Sequence, residues 1–135
     1  LMEDTDTDGA ELDHTTLRVN VGTRENPKWI RLTVRGLEVE EIERARERVL
    51  KRQQRRGKGP APAPGKLETL VNCEVIAEAT VQPAIKEIAV AKHVPPGEWV
   101  RRKFGHRPGL IPAIAGDIYD LSGYNDDDVV PVGED

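Results

Sequence analysis

Two short stretches near the start of the chain alternate apolar and polar residues with a period of two. In the first, Leu17, Val19 and Val21 flank Arg18 and Asn20; in the second, Ile30, Leu32 and Val34 flank Arg31, Thr33 and Arg35. A strand points successive side chains to opposite faces, so each stretch predicts a strand with one apolar face. Between them, Gly22 to Lys28 holds Gly, Asn and Pro, residues that turn a chain, and an antiparallel hairpin is the economical connection. A hairpin alone is marginal in water, so its apolar face requires helices or further strands against it.

The period then lengthens. Residues 37–56 set Val39, Ile42, Ala45 and Val49 on a narrow stripe, with acids in the first turns and Arg or Lys in the last, as the helix dipole favours. Glu40/Arg44 and Glu47/Lys51 add i,i+4 pairs. No apolar residue follows Leu50 until Ala61, so the last turns are expected to project into solvent. Residues 57–66 carry Pro60, Pro62 and Pro64, which exclude a helix or central strand and favour an extended linker within the domain. From Leu67 to about Val81 the chain is apolar over much of a helical circumference, which predicts a central buried helix. Gln82-Pro83 breaks it, and a short helix from Ala84 to about Lys92 follows. Pro95-Pro96-Gly97-Glu98 opens another, through Trp99, Val100 and Phe104 to near Gly105. Pro108-Gly109 opens the last, where Ile111, Ile114, Ile118 and Leu121 share a face, Gly123 caps and Tyr124 folds back. The pattern predicts an α+β protein: an N-terminal antiparallel β-hairpin packed on a small bundle of about four to five helices.

Composition sharpens this picture. A chain of 135 residues with 37% hydrophobic content supports one domain, residues 14–124, rather than two. No apolar run approaches the roughly 18 residues that span a bilayer. The acidic beginning also lacks the basic start of a signal peptide, so the expectation is a cytoplasmic protein without membrane contact. The net charge of −4 is unevenly spread. Residues 1–13 hold six acids and residues 125–135 hold five, with no Lys or Arg in either, so residues 14–124 carry +7. The two ends read as solvated, disordered acidic tails able to screen a basic body or compete with its partners.

Candidate chemistry is sparse. The Gly-rich linker before Lys66 lacks phosphate-loop spacing, with Leu67 where Ser or Thr is needed and prolines that offer no amide hydrogens. His14, His93 and His106 are far apart and have no second ligand at helical spacing, so no metal or cofactor site is expected. Cys73, the only cysteine, rules out an intramolecular disulfide framework and sits in the most apolar segment as a small core residue. Asp117 and Asp120 face away from the isoleucine stripe and read as a solvated face rather than an acid/base pair. The expectation is a binding protein with no enzymatic activity. One charge feature stands out: Arg44, Arg46, Arg48, Lys51, Arg52, Arg55, Arg56 and Lys58, against Glu47 alone, form a run able to grip phosphates. No aromatic is interleaved for base stacking, which makes nucleic acid the lesser alternative.

Several motifs resemble those of the tail assembly chaperones of long-tailed bacteriophages. A Trp-led strand, Trp29-Ile-Arg-Leu-Thr-Val-Arg35, runs straight into a charged helix. Ala79-Thr-Val-Gln-Pro83 looks like that family's Ala-rich helix ending at a Val-x-Pro break. The segment from Pro108-Gly109 to Leu121-Ser-Gly-Tyr124 looks like its closing Pro-Gly helix, although Leu110 stands where an acidic residue is expected. The acidic N-terminal extension and the Pro-Ala linker also depart from the family's pattern. The resemblance spans about residues 28–124, with its identifiable motifs concentrated in the last 45 or so. It implies a protein of the bacterial host cytoplasm that coats the tape measure protein, keeps it soluble and helps recruit tail tube subunits, with self-association possible. Physically, apolar grooves between helices would cover the stripes of a long helical partner, and Trp99, Val100, Phe104, Ile111, Ile114, Ile118 and Tyr124 are the candidates to line one, or else to form the core. The alternatives are a nucleic-acid-binding accessory protein using residues 44–58 and a structural head–tail component of the virion.

Overall fold

Alternation at period two does produce a hairpin. In the structure, a computed structural model that describes residues 13–56 and 64–123, β1 (His14–Asn20) pairs antiparallel with β2 (Trp29–Arg35) in unbroken register from His14↔Arg35 to Asn20↔Trp29. Asn20 organises the turn: its side-chain carbonyl accepts from the backbone N–H of Gly22 and of Lys28, both at 2.9 Å. Leu32 and Val34 are fully buried and Val19 nearly so, while the opposite face carries Thr16, Arg18, Trp29 and Arg31 into solvent.

Helix α1 (Val39–Arg56) follows through Gly36 and Leu37 and buries Ile42, Ala45 and Val49. Helix α2 (Pro64–Ala79) starts earlier than the Leu67 expected, because a proline is tolerated in the first turn, where its missing N–H is not needed. It is the core helix: Val71, Cys73, Val75, Ile76, Ala77 and Ala79 are all buried, and it packs against α1 and the last two helices. Burial pushes the Cys73 thiol up to about 12, which keeps it protonated and unreactive at neutral pH.

The end of this segment departs from the sequence reading. Residues Thr80–Gln82 are β3, a third strand on the far side of β2, rather than the last turn of a helix. Thr33 pairs with Gln82 and Val34 with Thr80 across an irregular step, so β2 becomes the central strand. The Thr80 hydroxyl, donating to the Ile76 carbonyl at 2.7 Å, closes the helix where the strand begins.

Past a cis Gln82–Pro83 bond, α3 (Ile85–Ala91), α4 (Pro96–Phe104) and α5 (Leu110–Leu121) complete five helices among the described residues, and the class is α+β. The final helix is locked to the hairpin. A Cβ on Gly36 would sit 2.6 Å from the Leu121 carbonyl oxygen, and the Ser122 hydroxyl accepts from Leu37 N–H at 2.8 Å while donating to the Ile118 carbonyl at 2.7 Å. Gly123, at φ 88°, ends the helix in the left-handed conformation glycine favours. Residues 1–12 and 124–135 of the acidic ends, Tyr124, and residues 57–63 of the linker lie outside the described residues. No described helix is long and apolar enough to cross a membrane.

Candidate functional site

The apolar set proposed to line a groove is almost entirely core. Val100, Phe104 and Ile118 are fully buried, and Ile111 and Ile114 are 4% and 3% exposed. Periodicity placed Ile111, Ile114 and Ile118 on one face of α5, and that face, like Val100 and Phe104 of α4, joins the core around α2. Trp99 is only partly buried, its ring edge-on to Phe104 at 6.4 Å between centroids. Tyr124 lies outside the described residues.

The basic run is divided in the same way. Arg44, Lys51 and Arg55 are exposed, while the Arg56 side chain and Lys58 lie outside the described residues. Arg48 and Arg52, one turn apart on α1, face Glu74 and Glu78, one turn apart on α2. Arg52 donates to Glu74 Oε2 at 2.7 Å, and Arg48 reaches Glu74 Oε1 at 3.3 Å and Glu78 Oε1 at 3.5 Å. Lys86 of α3 donates to Glu78 Oε2 at 2.8 Å. Arg35 of β2 lies 3.7 Å from the same Glu78 oxygen and grips Glu41 with both terminal nitrogens, at 3.1 and 2.7 Å. That hydrogen bonding from Arg35 holds the Glu41 carboxyl below its ordinary range, against the opposing effect of burial.

Glu74 is the centre of the network. Its side chain is only 3% exposed, and its carboxylate lies against the first turn of α4, where a side chain at Gly97 would collide with it. The apolar pattern of its own helix does not mark it. The available signal was the matched spacing, Glu74/Glu78 on one helix and Arg48/Arg52 on another, each at i,i+4. Around these residues lies a cleft of about 210 Å³, lined by Arg48, Arg52, Glu74, Ala77, Glu78, Lys86 and Pro96. Its cations and carboxylates are already paired with one another, so it is better suited to holding four elements in place than to proton or phosphate chemistry. No cluster of three or more His, Cys, Asp or Glu able to hold a metal occurs among the described residues.

The exposed apolar side chains are elsewhere: Trp29, Val39, Leu50, Val81 and Val90, the last 73% exposed. Arg18 lies over the Trp29 ring, 4.7 Å from its centroid.

No protein-family model matches the chain and no curated protein is similar to it in sequence. Among solved structures, the crystal structure of the protein YqbN is similar over 93% of this chain and 99% of its own, with 12% identity and a TM-score of 0.50. At that identity the likeness is one of fold.

Proposed function

We propose that this chain is a tail assembly chaperone of a long-tailed bacteriophage, a binding protein without enzymatic activity. It works in the bacterial host cytoplasm, keeps the tape measure protein soluble and helps recruit tail tube subunits. The observation that carries the reading is how the motifs behind the resemblance lie in the fold. The Trp29-led strand runs through Gly36 and Leu37 into the charged helix α1. The Ala79-Thr-Val-Gln-Pro83 element takes the chain from the end of the core helix through β3 to the turn into α3. The closing Leu121-Ser-Gly123 docks on the strand–helix junction, through Ser122 to Leu37 and through the close approach of Leu121 to Gly36.

Because most of the helical apolar set is core, the client contacts are assigned instead to exposed apolar side chains, Val81 on β3 and Val90 in the last turn of α3, with partly buried Trp99 on α4. The test is co-expression with the tape measure protein that the reading expects to be encoded downstream of this gene, reading soluble complex. Apolar burial should keep the complex together at about 0.5 M salt, where charge contacts are largely screened. Val90→Asp should weaken it by roughly fivefold or more, the effect of losing an apolar anchor. If the tape measure stays insoluble while the chain binds duplex DNA at physiological salt, the reading is wrong.

A further inference from the structure

Among the described residues, one edge of the sheet is open. In the β1–β2 ladder Gly36 N–H donates to the Asp13 carbonyl and Val21 N–H to the Lys28 carbonyl, both at 2.9 Å, so the odd-numbered residues of β1 make the bonds to β2. The N–H and C=O groups of His14, Thr16, Arg18 and Asn20 therefore point outward. The Asn20 end is covered: Arg107 donates to the Asn20 carbonyl at 3.1 Å, and His106 Nε2 lies 3.0 Å from the Val21 carbonyl. Among the described residues nothing bonds the outward groups of His14, Thr16 and Arg18. Natural edges are blunted by a proline, a bulge, an inward charge or very short length, yet β1 has seven residues, no proline and unbroken register.

The side chains along this edge are basic outside and incompletely covered inside. On the outer face Arg18 stands directly opposite Arg31, both exposed, and no described carboxylate pairs with either. Like charges in that position repel. On the inner face Thr15 and Leu17 are only partly buried.

We propose that the edge from His14 to Arg18 docks an extended acidic segment of a partner protein, added antiparallel as a fourth strand. A carboxylate of the partner lies opposite Arg18, and an apolar side chain lies beside Leu17. The partner is thus a strand with acids at alternate positions and apolar residues between them. A peptide backbone fits better than a nucleic acid, because phosphates only accept hydrogen bonds and would leave the three outward carbonyls unmet. A second copy fits less well: pairing two β1 edges about Thr16 puts His14 of the second copy opposite Arg18 and supplies no carboxylate. The inference does not depend on the chaperone reading.

Amide hydrogen exchange on the full chain tests it, with a blocked peptide of about eight residues alternating Asp and Val and a same-composition control with its acids grouped at one end. The alternating peptide should slow exchange at His14, Thr16 and Arg18 by about tenfold or more, equivalent to about 1.4 kcal/mol. Thr15, Leu17 and Val19, already bonded to β2, should change little. Arg18→Glu with Arg31→Glu should abolish the effect, and an alternating Lys and Val peptide should then restore it. Equal protection by both peptides, or protection away from these three amides, overturns the proposal. So does the same protection by an oligothymidylate, or protection that rises with protein concentration alone, which would make the occupant a second copy. If the peptide acts only on a variant carrying Asp4→Asn, Asp6→Asn and Asp8→Asn, the chain's own acidic segment holds the edge and the external partner is excluded.

Discussion

Arg48 and Arg52 on α1, and Arg18 and Arg31 on the hairpin, are two arginine pairs in opposite situations. The first pair is one turn apart on a helix and meets carboxylates on α2; the second is split across two strands, with Arg18 over the Trp29 ring and no described carboxylate on either arginine. In the sequence the first belongs to a dense basic run that advertises an anion-binding surface, while the second hardly shows. The folded chain reverses that order, because availability depends on what faces a charge and not on how many charges adjoin it. A basic run on a helix packed beside an acid-bearing core helix is partly neutralised from within.

The strongest way to break this contrast is to empty the helical seam. Arg48→Ala with Arg52→Ala leaves the Glu74 carboxylate, 3% exposed, without either cation that contacts it. An uncompensated buried charge costs about 3–5 kcal/mol, a large share of a small domain's stability. Urea denaturation should show that loss, and Glu74→Gln in the same background should recover part of it. A double variant as stable as the natural chain would mean that water already solvates Glu74, and the seam would not be structural.

These two situations also mark what the sequence can and cannot express. Strand and helix periods located the hairpin, α1, α2 and α5, since both patterns report which face is buried, while proline breaks marked α3 and α4. The periods could not say what buries that face, so Ile111, Ile114 and Ile118 could be read as core or as the lining of a groove, and they are core. β3 was missed because Thr80-Val81-Gln82 is too short for alternation to register and follows an apolar helix without a break. Its strand character comes from the neighbouring β2, a tertiary cause. Glu74 was legible only by comparing spacing on two helices at once, and the free edge of β1 depends on ladder phase, which no single-strand pattern contains.

Acid should separate the two pairs more gently. The seam continues through Glu78 and Arg35 to Glu41, whose carboxyl is held below the usual carboxylate range by hydrogen bonding from Arg35. A depressed carboxylate contributes stability that is present above the unfolded value and lost as pH falls through the folded one. Melting temperature should therefore decline below about pH 4.5, and Glu41→Gln should flatten part of that decline. Glu98, lowered by hydrogen bonding from Arg101 and then Arg102, adds to the same slope. The hairpin pair has no described carboxylate, so Arg31→Ala should leave the profile's shape unchanged.

The smallest expected effect has the opposite sign. Arg31→Glu converts a like-charge pair, directly opposite across β1 and β2, into an opposite-charge one on a face that buries nothing. Cross-strand pairs of this kind are worth roughly 0.2–1 kcal/mol, so the substitution should raise the melting temperature by a few degrees at low salt. The gain should shrink as salt rises, because both side chains are exposed and their interaction is screened. A single arginine reversed on the helical seam does the reverse: Arg52→Glu places a second carboxylate beside Glu74 and lowers stability at any salt. Should Arg31→Glu destabilise instead, the two arginines already share a partner on the outer face, and the contrast between the pairs fails at its simpler end.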